Sequence, residues 1–102
     1  MKLERIAWNG PSVPTEAGLR QRLAAEGFDV MTWNDPPGRT YAPHRHDHHE
    51  SLWCVRGAIT FHVDGRDYLL AAGDRLMLPR NTLHAATVGA EGATYLIGEA
   101  AG

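Results

Sequence analysis

From Phe28 onward, short apolar runs and turn signals follow each other so closely that the chain is confined to short strands. Residues 28–33 read as the first. Asn34-Asp35-Pro36-Pro37-Gly38 turns the chain, with Pro37-Gly38 suited to the central positions of a type II turn. Residues 41–46 read as a second strand and residues 51–56 as a third. Ile59, Phe61 and Val63 then alternate with Thr60 and His62, and Asp64-Gly65 reverses the chain into residues 66–70. An Asp-Gly between two such runs is a strong hairpin signal. Ala72-Gly73-Asp74 turns it again, and residues 75–78, 83–88 and 93–97 complete roughly eight strands at the spacing of a sandwich or barrel. Eleven Gly and six Pro, spread through the chain, agree with many turns.

Residues 1–27 differ and read as an extension carrying one short helix, followed by a barrel domain over residues 28–102. Thr15 is suited to the N-cap and Gly27 to the stop one residue past the C-cap. Leu19 and Leu23 share a helix face and would dock on the body, although Gly18 weakens the helix. A second signal bears on docking. Leu52-Trp53-Cys54-Val55 is apolar on both faces, whereas an outer strand of a small isolated barrel is polar on one. Trp53 and Val55 therefore call for a cover, either the helix or a second subunit.

The net charge of −2 gives no basic footprint for nucleic acid. No apolar run approaches the roughly 20 residues that span a bilayer. The N-terminal residues have no apolar core of a signal peptide. Cys54 is the one cysteine, so no intramolecular disulfide can form. Together these lead to the expectation of a cytoplasmic protein that binds neither nucleic acid nor membrane.

The chemistry is concentrated in Tyr41-Ala-Pro-His44-Arg-His46-Asp-His48-His49-Glu50. Side chains at i and i+2 of a strand lie on one face, so His44 and His46 can converge on one ion, and His84 is a third candidate imidazole. Imidazole with carboxylate suits a borderline divalent metal, and the lack of thiolate argues against Cu(I) and a structural zinc knot. Zn, Fe, Mn, Ni and Cu(II) all remain open. His48 and His49 read as histidines of the rim, with period-two counting placing His48 beside His46 and Glu50. His62, opposite the apolar Ile59, Phe61 and Val63, is expected outside the barrel. Cys54 reads as a small core hydrophobe. Trp33, Tyr41, Leu52, Met77 and Tyr95 are candidates for a pocket wall. Gly73-Asp74 reads as a turn device.

These residues resemble the cupin superfamily, in particular its small bacterial single-domain members. The pattern G-x5-H-x-H-x3-E-x6-G is met by Gly38, His44, His46, Glu50 and Gly57. The second pattern, G-x5-P-x-G-x2-H-x3-N, is met by Gly73, Pro79 and His84, with Asn81 in place of its middle glycine and Val88 in place of its asparagine. Asn tolerates the left-handed backbone better than most residues, so the turn can survive. The resemblance implies an all-β double-stranded β-helix, a jelly-roll barrel, with a divalent transition metal inside it held by His44, His46, Glu50 and His84. Four such ligands leave coordination positions open, as in a catalytic or ligand-binding site. It also implies a homodimer, as in many small cupins. Two classes of function follow. One is a metalloenzyme of dioxygenase, isomerase or lyase type acting on a small organic molecule, with Glu50 as the catalytic base. The other is a module that binds or senses a small molecule without chemistry.

Overall fold

The structure is a computed structural model and describes residues 1–12 and 14–100. Its elements are β1 (Glu4–Ile6), α1 (Glu16–Ala25), β2 (Asp29–Asp35), β3 (Thr40–His44), β4 (His49–Val63), β5 (Arg66–Ala71), β6 (Arg75–Leu78) and β7 (His84–Ala100). Two pairs of expected strands are continuous in the fold. Residues 51–56 and 59–63 both belong to β4, and residues 83–88 and 93–97 fall almost wholly within β7.

β4 and β7 run antiparallel along their whole length and form the spine of the barrel. Their register breaks where both strands bend, between Cys54 and Ile59 in β4 and between Val88 and Ala93 in β7. On one side of the bend the order is β1-β6-β4-β7-β2; on the other, β5 flanks β4 and β3 flanks β7. The bend also changes which side chains face inward. Leu52 and Cys54 enter the core from even positions, whereas Ile59, Phe61 and Val63 enter from odd ones. A strand of period two can do this only with an irregularity between them. Gly57 supplies it, with φ +72° and the Gly92 carbonyl packed against its Cα.

The turns follow their residues. Gly38 has φ +75°, and the Arg39 N–H donates to the Pro36 carbonyl at 3.3 Å, consistent with the expected type II turn. Asp64 and Gly65 both have positive φ and link β4 to β5. Asn81 takes φ +61°, so it does the work of the glycine it replaces.

α1 is capped at both ends as its sequence suggests. The Thr15 hydroxyl accepts from the Gly18 N–H at 3.0 Å. At the other end the Phe28 N–H donates to the Leu23 carbonyl and the Gly27 N–H to the Ala24 carbonyl, with Gly27 at φ +94°. That pairing satisfies carbonyls the helix leaves open. Leu19 and Leu23 are buried against Trp53, Val55 and Leu96. The helix is therefore the cover that the doubly apolar run required, and this face needs no second subunit to bury it.

β1 was not legible as a strand. It pairs with β6, and Asp74 ties it down by accepting from the Arg5 guanidinium at 2.9 Å and the Trp8 N–H at 3.0 Å. Asp74 also accepts from the Ala71 N–H, so it is a turn device as expected and a clamp besides. His62 lies on the outer face, between Asp67 and Thr87.

Candidate metal centre

His44 ends β3, His84 begins β7, and the two are direct cross-strand partners. His46 lies past the end of β3, in the loop to β4, so its place does not come from strand periodicity. The loop is held instead by the second motif. The Asn81 N–H donates to the His46 carbonyl at 2.7 Å, and the Arg80 N–H donates to His49 Nδ1 at 3.0 Å. His49 is thus a fastener of the loop, with its ring nitrogen spent on the backbone.

The rings of His44, His46 and His84 converge, with centroids 4.3–5.3 Å apart. One ring nitrogen from each lies within 4.8 Å of the others. His44 Nδ1 is 2.8 Å from the Ala42 carbonyl and His84 Nδ1 is 2.9 Å from the Thr82 carbonyl. A carbonyl can only accept, so Nδ1 carries the proton in both rings and each Nε2 keeps its lone pair. Fixing the tautomer through the other ring nitrogen is how proteins prepare a metal-ligating histidine. Burial lowers the His84 pKa, and the neighbouring His44 and His46 lower it further against the Thr82 hydrogen bond. The ring stays neutral, as a ligand must be. These donors fit a borderline divalent ion.

Glu50 opens the buried part of β4 and is itself buried. It groups with His46 and His48, its Oε1 standing 3.6 Å from His46 Nε2. The four expected ligands are therefore divided between two trios that share His46: His44, His46 and His84 form one, and Glu50 joins His46 in the other, together with His48. Burial raises the Glu50 pKa above the ordinary carboxylate range, and Glu99 adds to the rise; His46, His48 and His44 oppose it. His48, read from sequence as a rim residue, stacks on His46 at 5.2 Å and turns a buried Nε2 towards Glu50.

His44, His46, His84 and Glu50 line a cavity of about 660 Å³, counting its open mouth; His48 does not. Trp33, Tyr41, Leu52 and Tyr95 line it, as expected. Met77 does not: it lies on the opposite face of β6, against Ser51, because Leu76 and Leu78 are the inward residues of that strand. Phe61, Ala86, Ile97 and Glu99 complete the wall. Sequence reading missed Asp35 altogether. Its buried carboxylate accepts from the hydroxyls of Tyr41 at 2.6 Å and Tyr95 at 2.7 Å and from Trp33 Nε1 at 3.1 Å. Those polar atoms are therefore held by Asp35, which does not itself line the cavity.

Comparison with known proteins agrees with this architecture. The family model described as a cupin domain matches residues 31–97. Quercetin 2,3-dioxygenase of Bacillus subtilis (strain 168) is 36 % identical over 58 residues, 56 % of this chain but only 17 % of that enzyme. Among solved structures, a conserved double-stranded β-helix protein from Klebsiella pneumoniae matches with TM-score 0.63 and 28 % identity, over 72 % of this chain and 66 % of its own. KdgF from a Halomonas species matches with TM-score 0.59 and 25 % identity, over 71 % of this chain and 70 % of its own.

Proposed function

This chain belongs to the cupin family, and we propose that it is a metalloenzyme that holds one divalent transition metal with His44, His46 and His84, joined by Glu50, and acts on a small organic molecule. The observation that carries the reading is the pinning of His44 and His84 through Nδ1, which turns two Nε2 lone pairs towards a third imidazole at the side of an apolar cavity. Bound there, the ion would supply Lewis-acid polarisation of a substrate oxygen or a centre for dioxygen chemistry.

The chain's own residues define what could react. The cavity is lined by three imidazoles, Glu50 and Glu99 together with Trp33, Tyr41, Leu52, Phe61, Ala86, Tyr95 and Ile97. A substrate with an oxygen-bearing end and an apolar body matches both sets. Asp35 holds the two tyrosines and Trp33 in place, so that wall is set before any ligand enters. Glu50 is the proton acceptor in this reading. It is the buried carboxylate beside the imidazoles, and its raised pKa brings it nearer the working range of a general base.

Metal content by mass spectrometry, on protein purified without an immobilised-metal column, tests the proposal. Near-stoichiometric transition metal in the wild type and its loss in His46→Ala are expected. Little metal in either protein after reconstitution would overturn the reading and leave a barrel that binds its ligand without an ion.

A further inference from the structure

Among the described residues, none that lines the cavity is Lys or Arg. Its ionisable lining is the three imidazoles and two carboxylates, Glu50 and Glu99. Glu99 of β7 is paired across the sheet with Glu50 of β4 on one side and with the exposed Asp29 of β2 on the other. Three acidic positions therefore stand in a row at this end of the barrel, an arrangement that like-charge repulsion makes costly. His48 Nε2 faces the two glutamates from 3.8 and 3.7 Å, too far to hydrogen-bond either.

The aromatic wall offers an anion no more. The hydroxyls of Tyr41 and Tyr95 and the Trp33 N–H all donate to Asp35. The Asp35 side chain is wholly inaccessible, so a third carboxylate lies behind that wall. Arg39 stands 3.8 Å from Asp35 and over the Tyr41 ring at 4.8 Å, but it is half exposed and does not line the cavity. A ligand oxyanion would meet no guanidinium or ammonium here and no spare donor from the wall, and an anion desolvated without a positive partner is costly. An ion of charge +2 at the histidines would be matched by Glu50 and Glu99, leaving no net positive charge to draw an anion in. An uncharged aromatic ligand avoids these costs and packs its ring against Trp33, Tyr41, Phe61 and Tyr95.

We infer that the cavity takes an uncharged aromatic ligand and rejects the anionic counterpart of the same shape, with Glu99 as the residue that sets this choice. The inference deepens the proposed function and rests on it only in taking this cavity as the ligand's site. Glu99 lies outside both trios of metal-capable side chains, so it adds charge to the cavity without adding a metal ligand. Its side chain is 42 % accessible, so Glu99→Gln removes the charge at little cost to packing.

Equilibrium dialysis of chelator-stripped protein against 2-naphthamide and 2-naphthoate tests the choice. The two probes have nearly the same shape and differ in charge. At about pH 8 ordinary imidazoles are neutral and carboxylates ionised. The wild type should bind the amide at least about tenfold more tightly than the carboxylate, a modest demand on a unit charge held several ångströms away at a partly exposed site. Glu99→Gln should shrink that ratio by at least about threefold, through tighter binding of the carboxylate and not weaker binding of the amide. Equal affinities in the wild type would overturn the exclusion of anions. A ratio unchanged in Glu99→Gln would overturn the part given to Glu99. Binding of neither probe would overturn the cavity as a site for aromatic ligands. The protein is metal-free throughout, so a failure of the metal reading, seen in metal content, leaves this result standing.

Discussion

A Cβ placed on Gly57 would stand 2.0 Å from the carbonyl oxygen of Gly92. These residues mark the bends of β4 and β7, where the register of the spine breaks and the inward face changes parity. The backbones can touch only because Gly57 carries no side chain; a Cβ on Gly92 would instead meet the Asp35 carbonyl oxygen at 2.8 Å. Gly57→Ala should therefore cost roughly 3 kcal/mol or more, from the left-handed φ and the backbone overlap together. Gly65→Ala is the control. It has a similar φ of +76° but nothing within 4 Å of the added Cβ, and should cost about 1–2 kcal/mol. Urea unfolding of both variants decides; equal costs would mean that the crossing of the strands is not what requires glycine.

α1 makes a similar test of the outer face. Leu23 is fully buried against Trp53, Val55 and Leu96. Leu23→Ala should destabilise the protein by about 2–5 kcal/mol, the range for deleting a buried leucine side chain. Because this face lies on the outside of the β4–β7 sheet, the inner metal stoichiometry should not change. Melting temperature and metal content measured on one preparation check both halves. Loss of metal at temperatures where the variant is still folded would contradict the separation of the two faces.

The fold was legible wherever a residue has one conformational use. Asp64-Gly65, Gly38, Asn81, and the Thr15 and Gly27 caps each name a local geometry that the chain adopts. The histidines were legible as a cluster, but for an incomplete reason. His44 sits on a strand as period two requires, whereas His46 lies beyond it and is placed by a hydrogen bond from Asn81. Contacts between residues far apart in sequence left no signal. Nothing local to His48 announces Glu99, nothing near Asp35 announces Tyr95, and β1 exists because Asp74 reaches back to Arg5 and Trp8. Met77 was misplaced because Arg75 to Leu78 is too short and too apolar for alternation to say which side faces in.

Glu50 and His84 give the metal-free protein opposite responses to acid. Burial depresses the His84 pKa, so its contribution to stability is complete above the ordinary imidazole range and is lost as pH falls through its folded value. Burial raises the Glu50 pKa, so its contribution is complete below the ordinary carboxylate range and is lost as pH rises through its folded value. At neutral pH the buried carboxylate therefore weighs against the metal-free fold. Glu50→Gln should raise the melting temperature of the stripped protein near pH 7 and lower its metal affinity. A lower melting temperature would show that His46 and His48 already compensate the charge.

Cys54 makes the alkaline counterpart of that experiment. Its thiol is fully buried, and desolvation, with the Asp74 charge adding to it, pushes its pKa from 9.0 up to about 11, against the hydrogen bond it donates to the Arg56 carbonyl. In the unfolded chain the thiol ionises first. The folded state thus keeps the full contribution below pH 9.0 and loses it progressively as pH rises to about 11. Tyr95, whose pKa burial and Asp35 also push far up, titrates in the same direction. Cys54→Ala leaves Tyr95 in place and so isolates the thiol. Urea unfolding from pH 8 upward should show wild-type stability falling more steeply than that of Cys54→Ala. Below pH 9 a thiol reagent should modify Cys54 only as fast as the protein opens, since a buried neutral thiol is a poor nucleophile. Parallel pH profiles, or rapid labelling of the native protein, would show that Cys54 reaches solvent and is not sealed in the core between the two halves of β4.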